Sequence, residues 1–464
     1  MPQMRNRFRL SWVVTCTIVL ALIPASAARA AVATSCSFDA PTATVTGIVG
    51  TDVTTTLGRS GTAITFDGVP CGTADVTNTD QINISAPDTT SSETITISEA
   101  GGTFAPGKTA EADGSNEIEF AVTRSAEDTV GFVGTGDADT IDVDHDGADL
   151  LPGSPNEDEV QFTSFVAGPV AIDGGAGDDA LSARVYQASI DGGPGDDSIT
   201  AGGSQASSYA GGTGMDTITF PCGVVKATDT SNDYDLDRGG TTDAITSMET
   251  LVGGDGNDGF VGSAGNDHFI GGGGDDLFIP LGGDDIVEGD AGFDQDSLGA
   301  GGVSLHVDLT SGTSTGDGSD TFTGIEALVG SVLTDRFTGD PRTSGVVAIA
   351  GYGGHDVLDM RTATHRQFVW TTPDSIAGAP SWVRLAAQDI RRIQGSDRSD
   401  RIEVGDVNGN ELRARFNGNG GDDLLVGGIH HDVLRGGPGD DTLDGKARLD
   451  VCYGRAGVNT YINC

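Results

Sequence analysis

The chain has 464 residues, and its 69 aspartates and glutamates outnumber 25 lysines and arginines to give a formal charge of −44. Phosphates demand a basic partner, so this balance excludes nucleic acid, and it disfavours anionic membranes as well. What remains is a self-repelling disordered polymer or a protein whose carboxylates hold cations.

The first thirty residues read as an address. Arg5, Arg7 and Arg9 precede the apolar run "WVVTCTIVLALI", and Ala28-Arg29-Ala30 forms an A-x-A cleavage pattern. Twelve apolar residues are too few to span a bilayer, so a signal peptide over 1–30 is expected, with no transmembrane segment after cleavage. Its removal takes away four arginines and no acids, shifting the charge from −44 to −48. Export makes disulfides possible. Five cysteines remain, without C-x-x-C or a zinc-type spacing. Cys36–Cys71 and Cys452–Cys464 are the economical pairs by proximity, which leaves Cys222 buried or free.

Residues 31–133 alternate threonine with valine and isoleucine, as in "ATVTGIV", "DQINIS" and "ETITIS", between glycine, proline and aspartate. That is the signature of short strands and turns, either a small β domain or the irregular first rungs of a stack.

From 134 to 464 a nonapeptide recurs. Copies at 174, 192 and 211 are good; those at 134, 330 and 395 are worn. Five run contiguously from Gly253, one stands at 351, and five more run from Gly418. Position six carries Asp179, Asp197 and Asp216, then Asp258, Asp267, Asp276, Asp285 and Asp294. Asp356 follows, and Asp423, Asp432, Asp441 and Asp450 close the series. Position eight is apolar, with Phe260, Phe269, Phe278 and Val287, then Leu425, Leu434 and Leu443. An apolar side chain every nine residues fills a narrow core only if each copy contributes one strand. Disorder gives no such register, so the carboxylates read as cation ligands.

This pattern resembles the hemolysin-type, or RTX, calcium-binding repeat family, whose nonapeptide is G-G-x-G-x-D-x-U-x with U a large apolar residue. The resemblance implies a turn from the first six residues and a strand from the last three. It further implies two copies per coil of a right-handed parallel β-roll, with several calcium ions as cofactor. The expected fold class is all-β, a parallel β-solenoid behind a strand-rich N-terminal region. Each position-six aspartate would be a ligand. Backbone carbonyls would come from the turn glycines Gly174, Gly192, Gly211, Gly253, Gly262, Gly271, Gly418, Gly427 and Gly436. Calcium takes six to eight oxygens, which such turns supply. Stacked coils put aspartates about 5 Å apart, where two charges repel by about 3 kcal/mol at an effective dielectric near 20. A site at ten to a hundred times its Kd returns about 1.4 to 2.7 kcal/mol.

Some positions depart from the repeat. Asp296 takes an inward position and is expected to end its block. Arg448 replaces a turn glycine, Asn459 replaces the last aspartate, and Cys452 takes an inward place, so residues 445–464 read as a disulfide-closed cap.

Catalytic motifs are poor. "DVDHDG" at 142–147 opens like an EF-hand loop but has Gly153 where the bidentate glutamate belongs, and reads better as a solvated loop. "GTSTG" around Ser314 lacks the helix that a nucleophile elbow needs. No H-E-x-x-H occurs, and His430-His431 reads as an exposed turn. The expectation is therefore a secreted calcium-loaded β-roll without catalysis, structural or adhesive, with cell-surface or matrix polysaccharide as a partner. The alternative is an extracellular polysaccharide lyase or epimerase carrying such repeats.

Overall fold

The computed structural model describes residues 34–87, 91–104, 107–109, 118–143, 147–150, 158–162, 168–185, 187–202, 207–220, 226–229, 233–237, 242–372, 385–404 and 413–464. The signal segment, the Asp144–Asp146 part of the EF-like loop and Cys222 lie outside them. Strands dominate; the helical pieces are single turns at Leu298–Gly301 and Pro341–Ser344. Among the described residues no helix is long and apolar enough to cross a membrane.

Among the described residues, two sheets of 22 strands each face one another across a single apolar column. The chain passes from one sheet to the other through a turn after almost every strand. In the contiguous runs the parallel register advances by eighteen residues, pairing Phe260 with Phe278 and Phe269 with Val287. Two nonapeptides therefore make one coil, as the family resemblance implies. A strand residue alternates faces, so in most three-residue strands the middle side chain is the one that enters the core. Phe260, Phe269 and Phe278 do so at 0% exposure, their ring centroids 5.3 to 6.4 Å apart.

The sheets run without a break into the threonine-rich region. Phe120 pairs with Val160 and Val130 with Val170, both in parallel register. The described residues between 35 and 133 thus share the core and the axis of the repeats. Cys36–Cys71 ties the first strands together, and Cys452–Cys464 ties the last, each in the pairing proposed from proximity.

The long pieces between repeat blocks become extra strands, placed alternately on the two sheets. Gly147–Leu150 and Asp158–Phe162 widen the first sheet. Lys226–Asp229 and Asp233–Asp237 widen the second. His306–Asp308 and Thr313–Thr315 return to the first, and Phe368–Thr372 with Leu385–Gln388 to the second. Two added strands lengthen one sheet by about 10 Å. Unopposed, that would bend the roll sharply; alternation keeps the two sheets level.

Asp296 departs from the rule that a carboxylate stays out of this column. Its strand pairs with those of Phe278 and Leu328, its exposure is 0%, and neither carboxylate oxygen has a partner. Burial first, then the charges of Asp320 and Asp285, hold its carboxyl well above the usual carboxylate range. The contiguous run does end there, since the next strand of that sheet is Ala327–Val329. Replacing a buried unpaired polar group by a hydrophobe that fits removes a desolvation cost of about 1–3 kcal/mol. Asp296→Leu is expected to raise the unfolding free energy by that order, read as a higher denaturant midpoint at an unchanged slope.

Candidate metal centre

The turns that join the two sheets carry the predicted ligands. All thirteen position-six aspartates are buried, with exposures from 0 to 9%. They do not form one stack. Alternate copies fall on opposite edges of the roll, Asp258, Asp276 and Asp294 on one and Asp267 and Asp285 on the other.

Within each ladder the two carboxylate oxygens differ. Oδ1 accepts a hydrogen bond from the backbone N–H of the equivalent residue one coil before. Asp276 accepts from Asp258 (2.7 Å), Asp294 from Asp276 (2.9 Å) and Asp285 from Asp267 (2.9 Å). Asp197, Asp216, Asp356, Asp423, Asp441 and Asp450 are bound in the same way, at 2.7 to 3.1 Å. Asp179 accepts from Asp139, and Asp432 from Ala414, both at 2.7 Å.

The second oxygen, Oδ2, faces the first glycine of its own nonapeptide. A Cβ built on Gly174, Gly192, Gly211, Gly253, Gly262, Gly271, Gly418, Gly427 or Gly436 would overlap the Oδ2 of Asp179, Asp197, Asp216, Asp258, Asp267, Asp276, Asp423, Asp432 or Asp441 respectively. At Gly174, Gly192, Gly253, Gly262 and Gly271 the same Cβ would also crowd a backbone carbonyl oxygen of the next coil, that of Gly192, Gly211, Gly271, Pro280 or Gly289. Two acceptors thus converge over each of these glycines. For ten of the aspartates, Asp276, Asp285 and Asp423 among them, Oδ2 is buried without a hydrogen-bond partner. Oxygen facing oxygen with no proton between them is an arrangement that a hard cation relieves. Among the described residues no three His, Cys, Asp or Glu side chains come together, so a cation here draws most of its oxygens from carbonyls and water.

Electrostatics follow from that geometry. Burial, followed by neighbouring carboxylates, pushes Asp179, Asp216 and Asp276 up to about 6. The same causes take Asp285 and Asp356 to about 7 and Asp423 to about 8. Backbone donors to Oδ1 oppose the shift and do not overcome it.

Several members of the ladders escaped the sequence reading. Asp139, Asp335 and Asp400, at position six of the worn copies, accept or stand in register with the rest. Asp320, Glu249 and Glu326 fill the same place after long insertions, accepting from Asp285, Asp216 and Asp294. Their signal was present: each is followed by an apolar residue two places on and glycine four places on. A second ladder lies one residue earlier, where Asp178, Asp275 and Asp422 have counterparts in Asn257 and Asn266. There Asp178 accepts from Asp196, Asn257 from Asp275 and Asp422 from Asp440, all at 2.9 Å on the solvent side.

The family description "RTX calcium-binding nonapeptide repeat" matches in four copies, covering residues 189–205, 247–279 and 409–447. The chain carries RTX repeats. They support a calcium-binding β-roll module, and the paired acceptors over Gly253, Asp258 Oδ2 and the Gly271 carbonyl, lie inside a matched segment. No curated protein matches the chain.

The remaining candidates resolve plainly. Asn459 takes the last place in its ladder, accepting from the Asp441 N–H (3.0 Å) with a neutral carboxamide. Arg448 holds φ 78°, a left-handed turn conformation that its glycine counterpart Gly439 reaches without a side chain. Ser314 is buried mid-strand and donates to Asp320 (2.6 Å), not at an elbow. Asp142 pairs with Arg184 at 2.7 Å. The expected exposure of the histidine pair holds for His431, which meets the Leu449 carbonyl; His430 is half-buried instead, its Nε2 enclosed by the turn.

Two outcomes follow for metal-free protein and for a variant. A carboxyl whose folded pKa stands above its unfolded value favours folding below the unfolded value and loses that contribution as pH rises through the folded one. Without calcium, stability should therefore fall as pH rises from about 4 towards 8, the span set by Asp276, Asp285 and Asp423. With calcium the slope reverses, because protons compete with the cation; chemical denaturation at several pH values reads both slopes. Gly271→Ala should displace Oδ2 of Asp276 and shift the calcium midpoint upwards by about tenfold or more, the equivalent of 1.4 kcal/mol, in a calcium titration.

Proposed function

We propose that the protein is exported, folds around calcium outside the cell and serves there as a non-catalytic structural or adhesive rod. The observation that carries this reading is the facing pair of acceptors, Asp Oδ2 and next-coil carbonyl, repeated over the turn glycines. Buried carboxylates with raised pKa values make the metal-free rungs unfavourable at neutral pH. A cation that neutralises them couples folding to its own concentration. Calcium is scarce inside cells and plentiful outside, so such a rod stays unfolded until export is complete. Two disulfides, one at each end of the described roll, suit the same oxidising destination.

A lyase or epimerase needs a cleft where titratable groups converge. A groove of about 690 Å³ runs along the second sheet beside Leu298–Gly301. Its walls are mostly alanine, glycine and valine, with Gln295, Ser297 and Tyr352 as polar side chains and no carboxylate or histidine. That lining gives the enzyme reading no support at this groove.

Far-UV circular dichroism of the mature chain during a calcium titration, with magnesium as control, tests the proposal. The expected result is a cooperative gain of β signal with calcium alone. A β signal already complete in chelator, with no calorimetric heat on adding calcium, sinks it. Turnover of acidic polysaccharide by the purified protein would restore the enzyme reading.

A further inference from the structure

Half of the chain's arginines, eleven of 22, fall between residues 336 and 415, against ten acidic residues in the same segment. Elsewhere the chain is strongly anionic. The β register shows where several of these arginines lie. On the outer face of the first sheet, Arg336, Val357, Arg392, Arg415 and Val433 stand in one row across successive strands. Beside it runs a second row of Thr338, Asp359, Gln394, Asn417 and Arg435.

Asp359 is the one acid in these rows, and it is 5% exposed beneath the guanidiniums of Arg336 and Arg361. Arg361 and Arg336 hold its carboxyl below the usual carboxylate range, so its charge is matched. Arg392 and Arg415 are exposed and, among the described residues, make no side-chain hydrogen bond or ion pair. Arg435 is exposed above the Tyr453 ring, 5.8 Å from its centroid.

A second observation coincides with the first. The residue just before each strand of this sheet is a ladder aspartate at Asp335, Asp356 and Asp432. In the two coils that carry Arg392 and Arg415 it is Arg391 and Ala414 instead. The carboxylate ladder is interrupted where the arginines emerge.

We infer that this face, from Arg336 to Arg435, binds a linear acidic polysaccharide, a uronate chain laid along the roll axis. The inference rests on the adhesive part of the function proposed above. Five strands span about 19 Å, with one row position per strand spacing of about 4.8 Å, close to the length of one pyranose unit. Guanidinium forks match carboxylates bidentately. The amides of Gln394 and Asn417, the latter donating to Asn419 (2.6 Å), suit hydroxyls. A protein partner fits poorly, because Val357 and Val433 are the apolar side chains of the rows and both are half-buried. Double-stranded nucleic acid carries about one charge per 1.7 Å, far denser than one carboxylate per pyranose unit, so the anionic remainder of the chain repels it more strongly.

The test uses the calcium-loaded full chain and a fluorescent oligogalacturonate too short to gel with calcium. Anisotropy should show saturable binding that weakens with salt and that neutral dextran does not compete. Arg392→Gln with Arg415→Gln should weaken it by about tenfold or more, as expected for two lost charge-assisted contacts. Arg184→Gln, far down the same sheet, should leave it unchanged. Dichroism of each variant in calcium checks that the fold persists. An unchanged affinity in the double variant, tighter binding of double-stranded DNA, or self-association in sedimentation that the double variant abolishes would each overturn the inference. Absence of any calcium-induced β signal would count against the preceding proposal, whereas a folded protein that ignores the oligogalacturonate refutes this one alone.

Discussion

One contact recurs through the molecule and sets its terms: a buried carboxylate oxygen and a carbonyl oxygen of the next coil, facing each other over a glycine. Neither can donate a proton while the carboxylate is ionised. The coils can approach to strand spacing only if something positive, a proton or a cation, stands between them. Everything around the turn serves that approach. The glycine admits both oxygens, the backbone N–H holds Oδ1 so that Oδ2 keeps its aim, and the three-residue strand delivers one apolar side chain to the core. Stability is therefore partly a property of the solution and not of the chain alone.

The same logic explains how the roll tolerates its irregularities. Between repeat blocks, an aspartate or glutamate still arrives at the turn, as with Asp320, Glu249 and Glu326, although thirty or more residues intervene. The inserted residues leave as hairpins on one sheet and then on the other, which conserves the pitch on both sides. Asp296 shows the limit. A carboxyl in the apolar column has no hydrogen-bond partner, and burial raises its pKa well above the usual carboxylate range. The disulfides act where stacking is incomplete, at strands that have a neighbour on one side only.

Charge is distributed with equal economy. Carboxylates occupy the two turn edges, while the broad outer face of the first sheet is free to vary. Between Arg336 and Arg435 it turns basic where two coils omit the turn aspartate. A rod that is anionic along its edges and cationic on one flat patch orients any charged polymer that meets it.

The sequence by itself determined the repeat, the inward residues and the places of the turn aspartates. Period nine, with aspartate, apolar residue and glycine in fixed places, admits few other folds, because each of those residue types answers a local requirement of turn, core or cation. It also pointed to both disulfides, through proximity. Tertiary structure alone decided what depends on register between distant segments. The division of aspartates into two ladders, the different duties of Oδ1 and Oδ2, and the continuity of the threonine-rich strands with the repeats all arise from stacking. So does the row of Arg336, Arg392 and Arg415, which lie 56 and then 23 residues apart in the chain and share one face. Insertions of unequal length erase the period that would have aligned them, and only the hydrogen-bonded register restores it.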